Sequence, residues 1–259
     1  MTALRSRLAA LAAAGVLTLT LVGVASASEP GAPSRQRELS HRCVALGQAV
    51  RHEATVGNLR EFGICQIGRR ETTLDRLLGR VATSKVLTAG HASTLTAELA
   101  AAKSGLAGLK VTLKSDTTVA QLRVDIRKIS ADFRVYRLIV PQVRLINLTD
   151  GGLAAVVRFG TLESKLQARI NAASSAGKDV SGAQADLDSM HQQVAAAQTV
   201  LASIDENQLL SLTAANWNDG TAKPILMAAR TSLKSTHQDL RTARADARKC
   251  VKALKALGA

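Results

Sequence analysis

The stretch from 224 to 257, PILMAARTSLKSTHQDLRTARADARKCVKALKAL, decides the fold. Within it Leu226, Ala229, Leu233, Thr236, Leu240, Ala243, Ala247, Cys250, Leu254 and Leu257 recur at steps of three and four residues, the spacing that gathers side chains on one face of an α-helix. The same rhythm runs from Ala92 to Leu113, from Val119 to Val140 and from Leu187 to Ile204. Several long helices that each carry one apolar stripe can bury it only against one another, so the expectation is an all-α protein, a bundle of about six long antiparallel helices. Aromatic residues make up only 2% of the chain. The core must therefore be built from Leu, Val, Ile and Ala, and stability must come from length of seam rather than from a few large anchors.

Working back from that stretch, punctuation residues mark the helix ends. Pro224 suits the first turn of the last helix. Ser181-Gly182-Ala183-Gln184 has the form of a capping box, Thr88 is placed to cap the helix after it, and Asp116-Thr117 to cap the next. Further helices are expected over Gln36 to Thr55, Asn58 to Thr83, and Ala154 to Ala173, the last stopping in Ser174-Ser175-Ala176-Gly177. Val143 to Leu148 is too short a run for periodicity to tell a helical start from an extended connector. Pro141 lacks a backbone donor and crowds the preceding turn, which predicts an end or kink within Leu138 to Pro141. If the chain reverses there, the helices form one six-helix bundle; if it continues, two three-helix units stack end to end. The corresponding division is a leader over 1–27, a lead-in and weak helix over 28–57, and helical units over 58–140 and 141–259.

The N-terminus has the pattern of a cleavable signal peptide. Arg5 and Arg7 precede an apolar run from Leu8 to Val24, and Ala25-Ser26-Ala27 offers small residues for cleavage. A mature chain beginning near Ser28 is expected outside the cytoplasmic membrane, secreted or associated with the cell wall, with no transmembrane segment left after cleavage. In such an oxidising compartment Cys43, Cys65 and Cys250 predict one disulfide and one remaining thiol. A six-helix bundle would bring Cys65 level with Cys250, whereas stacked units would leave only Cys43 with Cys65.

Several segments resemble an actinobacterial family of secreted, all-helical proteins: Asp132-Phe133-Arg134-Val135-Tyr136-Arg137-Leu138 leading to Pro141, Leu74-Asp75-Arg76-Leu77, Leu212-Thr213-Ala214-Ala215-Asn216-Trp217-Asn218, and Asp239-Leu240 to Asp246. The resemblance spans roughly Asn58 onward, while Gln36 to Thr55 and the cysteines depart from the pattern. It implies export and helicity. It brings no activity, cofactor or catalytic residue with it.

Reactive constellations are sparse. Glu38-Leu39-Ser40-His41 is a Glu-x-x-His pair of the type used in carboxylate-bridged metal bundles, but the second motif is missing, and Asp188-Ser189-Met190-His191 is an incomplete substitute. No Cys-x-x-Cys or Cys-His spacing, nucleophile elbow, phosphate loop or His-Glu-x-x-His occurs, so the expectation is no enzyme, no cofactor and no metal site. Trp217, in the irregular stretch from Asp205 to Lys223, reads either as a cover for open apolar surface or as a ligand platform. What remains is charge. Losing Arg5 and Arg7 with the leader leaves 32 basic residues against 20 acidic ones, a net of about +12. On the last helix Arg241, Arg244, Arg248, Lys252 and Lys255 repeat at steps of three and four. The leading expectation is an exported, non-enzymatic structural or interaction module at or near the cell envelope that meets another envelope protein, with the stripe a solvated face; the alternative is that the stripe binds acidic wall polymers, anionic lipid or nucleic acid. With so few aromatics, base stacking is not supported, and no sequence-specific nucleic-acid partner is expected.

Overall fold

A computed structural model describes residues 32–258; the expected leader and its cleavage point lie outside them. Every regular element among the described residues is helical: α1 (Ala32–His52), α2 (Val56–Thr83), α3 (Ala89–Ser115), α4 (Val119–Ala131), α5 (Val140–Ser175), α6 (Ser181–Ala202), the short α7 (Glu206–Ser211) and α8 (Ala214–Asn218), and α9 (Ala222–Ala256).

Local chemistry explains most boundaries. Thr55, expected to end the preceding helix, instead opens α2 by accepting the Asn58 N–H on Oγ1 at 3.1 Å, while Thr88 Oγ1 accepts the His91 N–H at 3.2 Å to open α3 as the sequence predicts. The cap of α4 is one residue later than Asp116-Thr117: Thr118 and Gln121 form a reciprocal capping box. At α6 the expected box does not form. Ser181 is already helical, its N–H is held by Asp179 Oδ1 at 3.0 Å, and the Gln184 side chain is engaged with Gln167 and Asp188 instead. α5 stops where predicted, because Gly177 takes φ +74° and the Lys178 N–H reaches back to the Ala173 carbonyl at 3.1 Å.

Pro141 does not break the chain. The residues before it, Val135–Ile139, form a π-helical turn in which the Val140 N–H bonds to the Val135 carbonyl. The widened turn gives the proline ring room that a regular α-helix lacks, so helix continues through Pro141 and takes in Val143 to Leu148. The break lies earlier, at Asp132 to Arg134, where Arg134 adopts φ +43°. Two contacts give the direction after it. A Cβ on Gly105 would meet the Phe133 ring at 2.5 Å, which places Phe133 on the middle of α3. Asp150, further on, accepts the Thr88 N–H at 2.9 Å at the start of α3. The chain therefore climbs α3 from its middle to its beginning without turning back.

Two apolar clusters lie one above the other along the long helices. The lower one joins α2, α3 and α4 to the first turns of α5, the end of α6, α7 and the start of α9, through Leu74, Leu99, Leu106, Ile146, Leu209 and Leu226 among others. The upper one joins the rest of α5, α6 and α9 through Leu166, Leu187, Met190, Ala247, Cys250 and Leu254. Val156 borders both. α5 and α9 run parallel through the two clusters: Lys178, just past α5, donates to the Leu257 carbonyl at the end of α9. α6 is antiparallel to both, with Gln184 bonded to Gln167 near its start and Leu201 packed over Gly152 near its end.

This arrangement decides the disulfide. Cys43 on α1 and Cys65 on α2 are bonded, with Cα atoms 5.6 Å apart. The pairing of Cys65 with Cys250 does not occur, because continuation past Pro141 puts Cys250 in the upper cluster while Cys65 faces α1. Burial pushes the Cys250 thiol above its ordinary range, aided by nearby Asp186. A non-reducing peptide map is expected to link Cys43 to Cys65 and to find Cys250 unmodified by alkylating reagent until the protein unfolds. Replacing both bonded cysteines by serine should cost about 3 kcal/mol, from the loop that the bond closes, measured by denaturant unfolding.

Candidate polyanion-binding face on α9

α9 is an unbroken helix of 35 residues. Its seam side turns Ala243, Ala247, Cys250 and Leu254 into the upper cluster. The predicted cations lie on the other side: Arg241, Arg248, Lys252 and Lys255 are exposed, and Arg244 is half-buried. The structure thus brings all five onto one solvent face. It also extends them, because Arg230, Lys234 and His237 are exposed and continue the same three- and four-residue rhythm toward the N-terminus. Those three positions were present in the spacing. What the sequence did not show was that their face is uncovered along the whole helix. From Arg230 to Lys255 the row is about 38 Å long.

The two acids on α9 do little to neutralise it. Asp239 is half-buried. Asp246 is buried and turned toward α6, accepting hydrogen bonds from Ser189 Oγ at 2.8 Å and Lys249 Nζ at 2.7 Å. Burial would raise its pKa, but the bonds from Lys249 and Ser189 outweigh that and hold the carboxyl below its ordinary range. Among the described residues, no carboxylate within salt-bridge distance pairs with Arg230, Lys234, Arg241, Arg244, Arg248, Lys252 or Lys255. Like charges at these spacings repel by a few tenths of a kcal/mol per pair, a cost offset by the buried seam. An elongated anion laid along the row removes that repulsion.

Other features have less chemistry. Glu38 and His41 are exposed on α1, and His191 pairs instead with Glu163 at 2.8 Å, so the two Glu/Asp-x-x-His motifs do not meet. Trp217, in α8, is half-buried against the lower cluster. A groove of about 540 Å³ beside α2 and α3 is lined by Val81, Ala92, Thr96, Ala100 and other small neutral side chains, with no acid, base or histidine. The sequence reading missed the meeting of His91, Asp150 and Glu206, which come from α3, α5 and α7. Their separation along the chain left no local motif to find. Comparison with protein-family models, curated proteins and solved structures yields no match to this chain.

One half-buried acid gives the protein a pH signature. Glu98 on α3 is half-buried, its Oε2 is closed to solvent without a hydrogen-bond partner, and burial raises its pKa from 4.5 to about 7. The folded state holds a proton there that the unfolded chain releases at lower pH. The stability from this group is therefore complete below pH 4.5 and is lost as pH rises through about 7. Glu98→Gln is expected to remove that dependence and to raise stability at pH 8 by on the order of 3 kcal/mol, read from thermal unfolding across pH 4 to 8.

Proposed function

We propose that this protein is exported and acts outside the cytoplasmic membrane as a non-enzymatic helical interaction module that holds acidic polymers along the outer face of α9. The observation that carries the reading is the row of cations from Arg230 to Lys255, without carboxylate partners among the described residues, on one unbroken helix. A narrow, linear row suits a linear polymer whose charges repeat along its length. Its arginines can take phosphate oxygens in pairs, and its lysines act as point charges. Phosphodiester wall polymers fit this chemistry better than nucleic acid, because no aromatic side chain interrupts the row to stack a base.

Export rests on separate observations. The N-terminal residues carry the charge, apolar run and small-residue pattern of a leader. The Cys43–Cys65 bond is compatible with an oxidising compartment. No described helix is long and apolar enough to cross a membrane. The resemblance to secreted actinobacterial helical proteins, carried by the Asp132 to Leu138 and Leu212 to Asn218 segments, points the same way.

Binding of this kind is governed by counterion release and screening. Retention on an immobilised glycerol-phosphate polymer is expected at low ionic strength and should fall steeply as salt is raised. Arg244→Glu with Arg248→Glu should abolish it, while helix content by circular dichroism stays unchanged. Retention that responds neither to salt nor to the double charge reversal would count against the α9 face.

A further inference from the structure

The site lies where three elements meet. His91 is in the first turn of α3, its backbone N–H fixed by the Thr88 cap. Asp150, on α5, has a side chain only 1% exposed, and its Oδ2 accepts the Thr88 N–H at 2.9 Å. Glu206 is the first residue of α7, the segment that returns along the lower cluster. His91 Nδ1 is 3.0 Å from both Asp150 oxygens, and His91 Nε2 is 4.0 Å from Glu206 Oε2. One ligand atom from each of the three residues falls within 4.8 Å of the others.

A proton on His91 does not satisfy this arrangement. The Nδ1–H can serve Asp150, but at 4.0 Å an Nε2–H falls short of a hydrogen bond to Glu206. Glu206 Oε1 is moreover closed to solvent and has no hydrogen-bond partner among the described residues. Burial, the like charge of Asp150 and a side-chain hydrogen bond with Asp150 all disfavour a charged Glu206, and only His91 opposes them. Among the described residues, no lysine or arginine forms a salt bridge with either carboxylate. Two carboxylates and an imidazole thus converge with one buried oxygen left over, and a single cation placed among them would engage all three.

We propose that His91, Asp150 and Glu206 bind one divalent first-row transition ion, for which Zn²⁺ is the probe. One imidazole nitrogen and two carboxylate oxygens are the donor set of a borderline cation. Mg²⁺ and Ca²⁺ favour oxygen-only shells, so they are poor occupants. With neutral His91, the two carboxylates and the ion sum to zero charge, which suits the partial burial. Metal–ligand distances near 2.0–2.2 Å require the three groups to close by about an ångström, a shift within the reach of side-chain rotation at Glu206, the first residue of α7, whose side chain is 20% exposed. His91 and Glu206 keep 18% and 20% of their side chains exposed, an open edge through which the ion enters and where water completes its shell. The bound ion would bolt α3, α5 and α7 together. This inference is independent of the α9 face.

The test uses purified protein stripped with EDTA, its disulfide intact. Calorimetric titration with Zn²⁺ is expected to give one site. A hundredfold excess over the dissociation constant should raise Tm by about 5 °C, with no response to Mg²⁺ or Ca²⁺. His91→Ala and Glu206→Gln should each lose the tight site. Glu206→Gln keeps the shape of the side chain, so it answers the question even if His91→Ala unfolds. No Zn²⁺ binding by the wild-type protein, tight binding retained in either variant, or an equal response to Mg²⁺ would overturn the proposal.

Discussion

The structure depends on the burial of one continuous seam along α9. A core with so few aromatic rings gains about 1.5–3 kcal/mol from each fully buried large aliphatic side chain, and much less from each alanine. Leu226 and Leu233 contribute to the lower cluster, while Ala243, Ala247, Cys250 and Leu254 contribute to the upper. Because each contact is modest, the helix has to be long. Because alanines line much of it, α6 and α9 can approach closely along their shared length.

From that seam the rest of the architecture follows. α5 and α9 run side by side through both clusters, so neither cluster is closed by a compact set of neighbours in sequence. The lower one in particular needs the stretch after α6. Gln142, fully buried, donates to the Leu209 and Leu210 carbonyls at 2.8 and 3.2 Å, which holds α7 on the core. Arg134 donates from Nε to Asn218 Oδ1 at 2.8 Å, and Asn218 Nδ2 donates to the Ala131 carbonyl at 3.0 Å, which holds α8 over the break between α4 and α5. The segment that looks irregular in sequence is thus a strap across the lower half. It brings Glu206 to His91 and Asp150 and sets Trp217 against the apolar cluster.

Charge is sorted by the same geometry. Side chains on the seam side of α9 meet α5 and α6, so the acid there, Asp246, is buried and satisfied by Ser189 and Lys249. Along the opposite side run Arg230, Lys234, His237, Arg241, Arg248, Lys252 and Lys255, all exposed, with half-buried Arg244 among them. The positive row is therefore a consequence of one periodicity read on two faces. Its strength comes from the removal of Asp246 to the other face.

Much of this was legible in the residues themselves. Steps of three and four gave the helices and their buried sides, Thr88 gave a cap, Gly177 gave a stop, and Arg241 to Lys255 gave the cationic face, because each is a local property of a chain with helical period. The choice at Pro141 was not local: it turned on whether the preceding turn would widen, and the contacts of Phe133 with Gly105 and of Asp150 with Thr88 decided it. From that choice came the partner of Cys65, the burial of Cys250 and the stacking of two clusters. The meeting of His91, Asp150 and Glu206 likewise belongs to tertiary structure alone, since residues far apart in sequence come together only after the helices that carry them have packed.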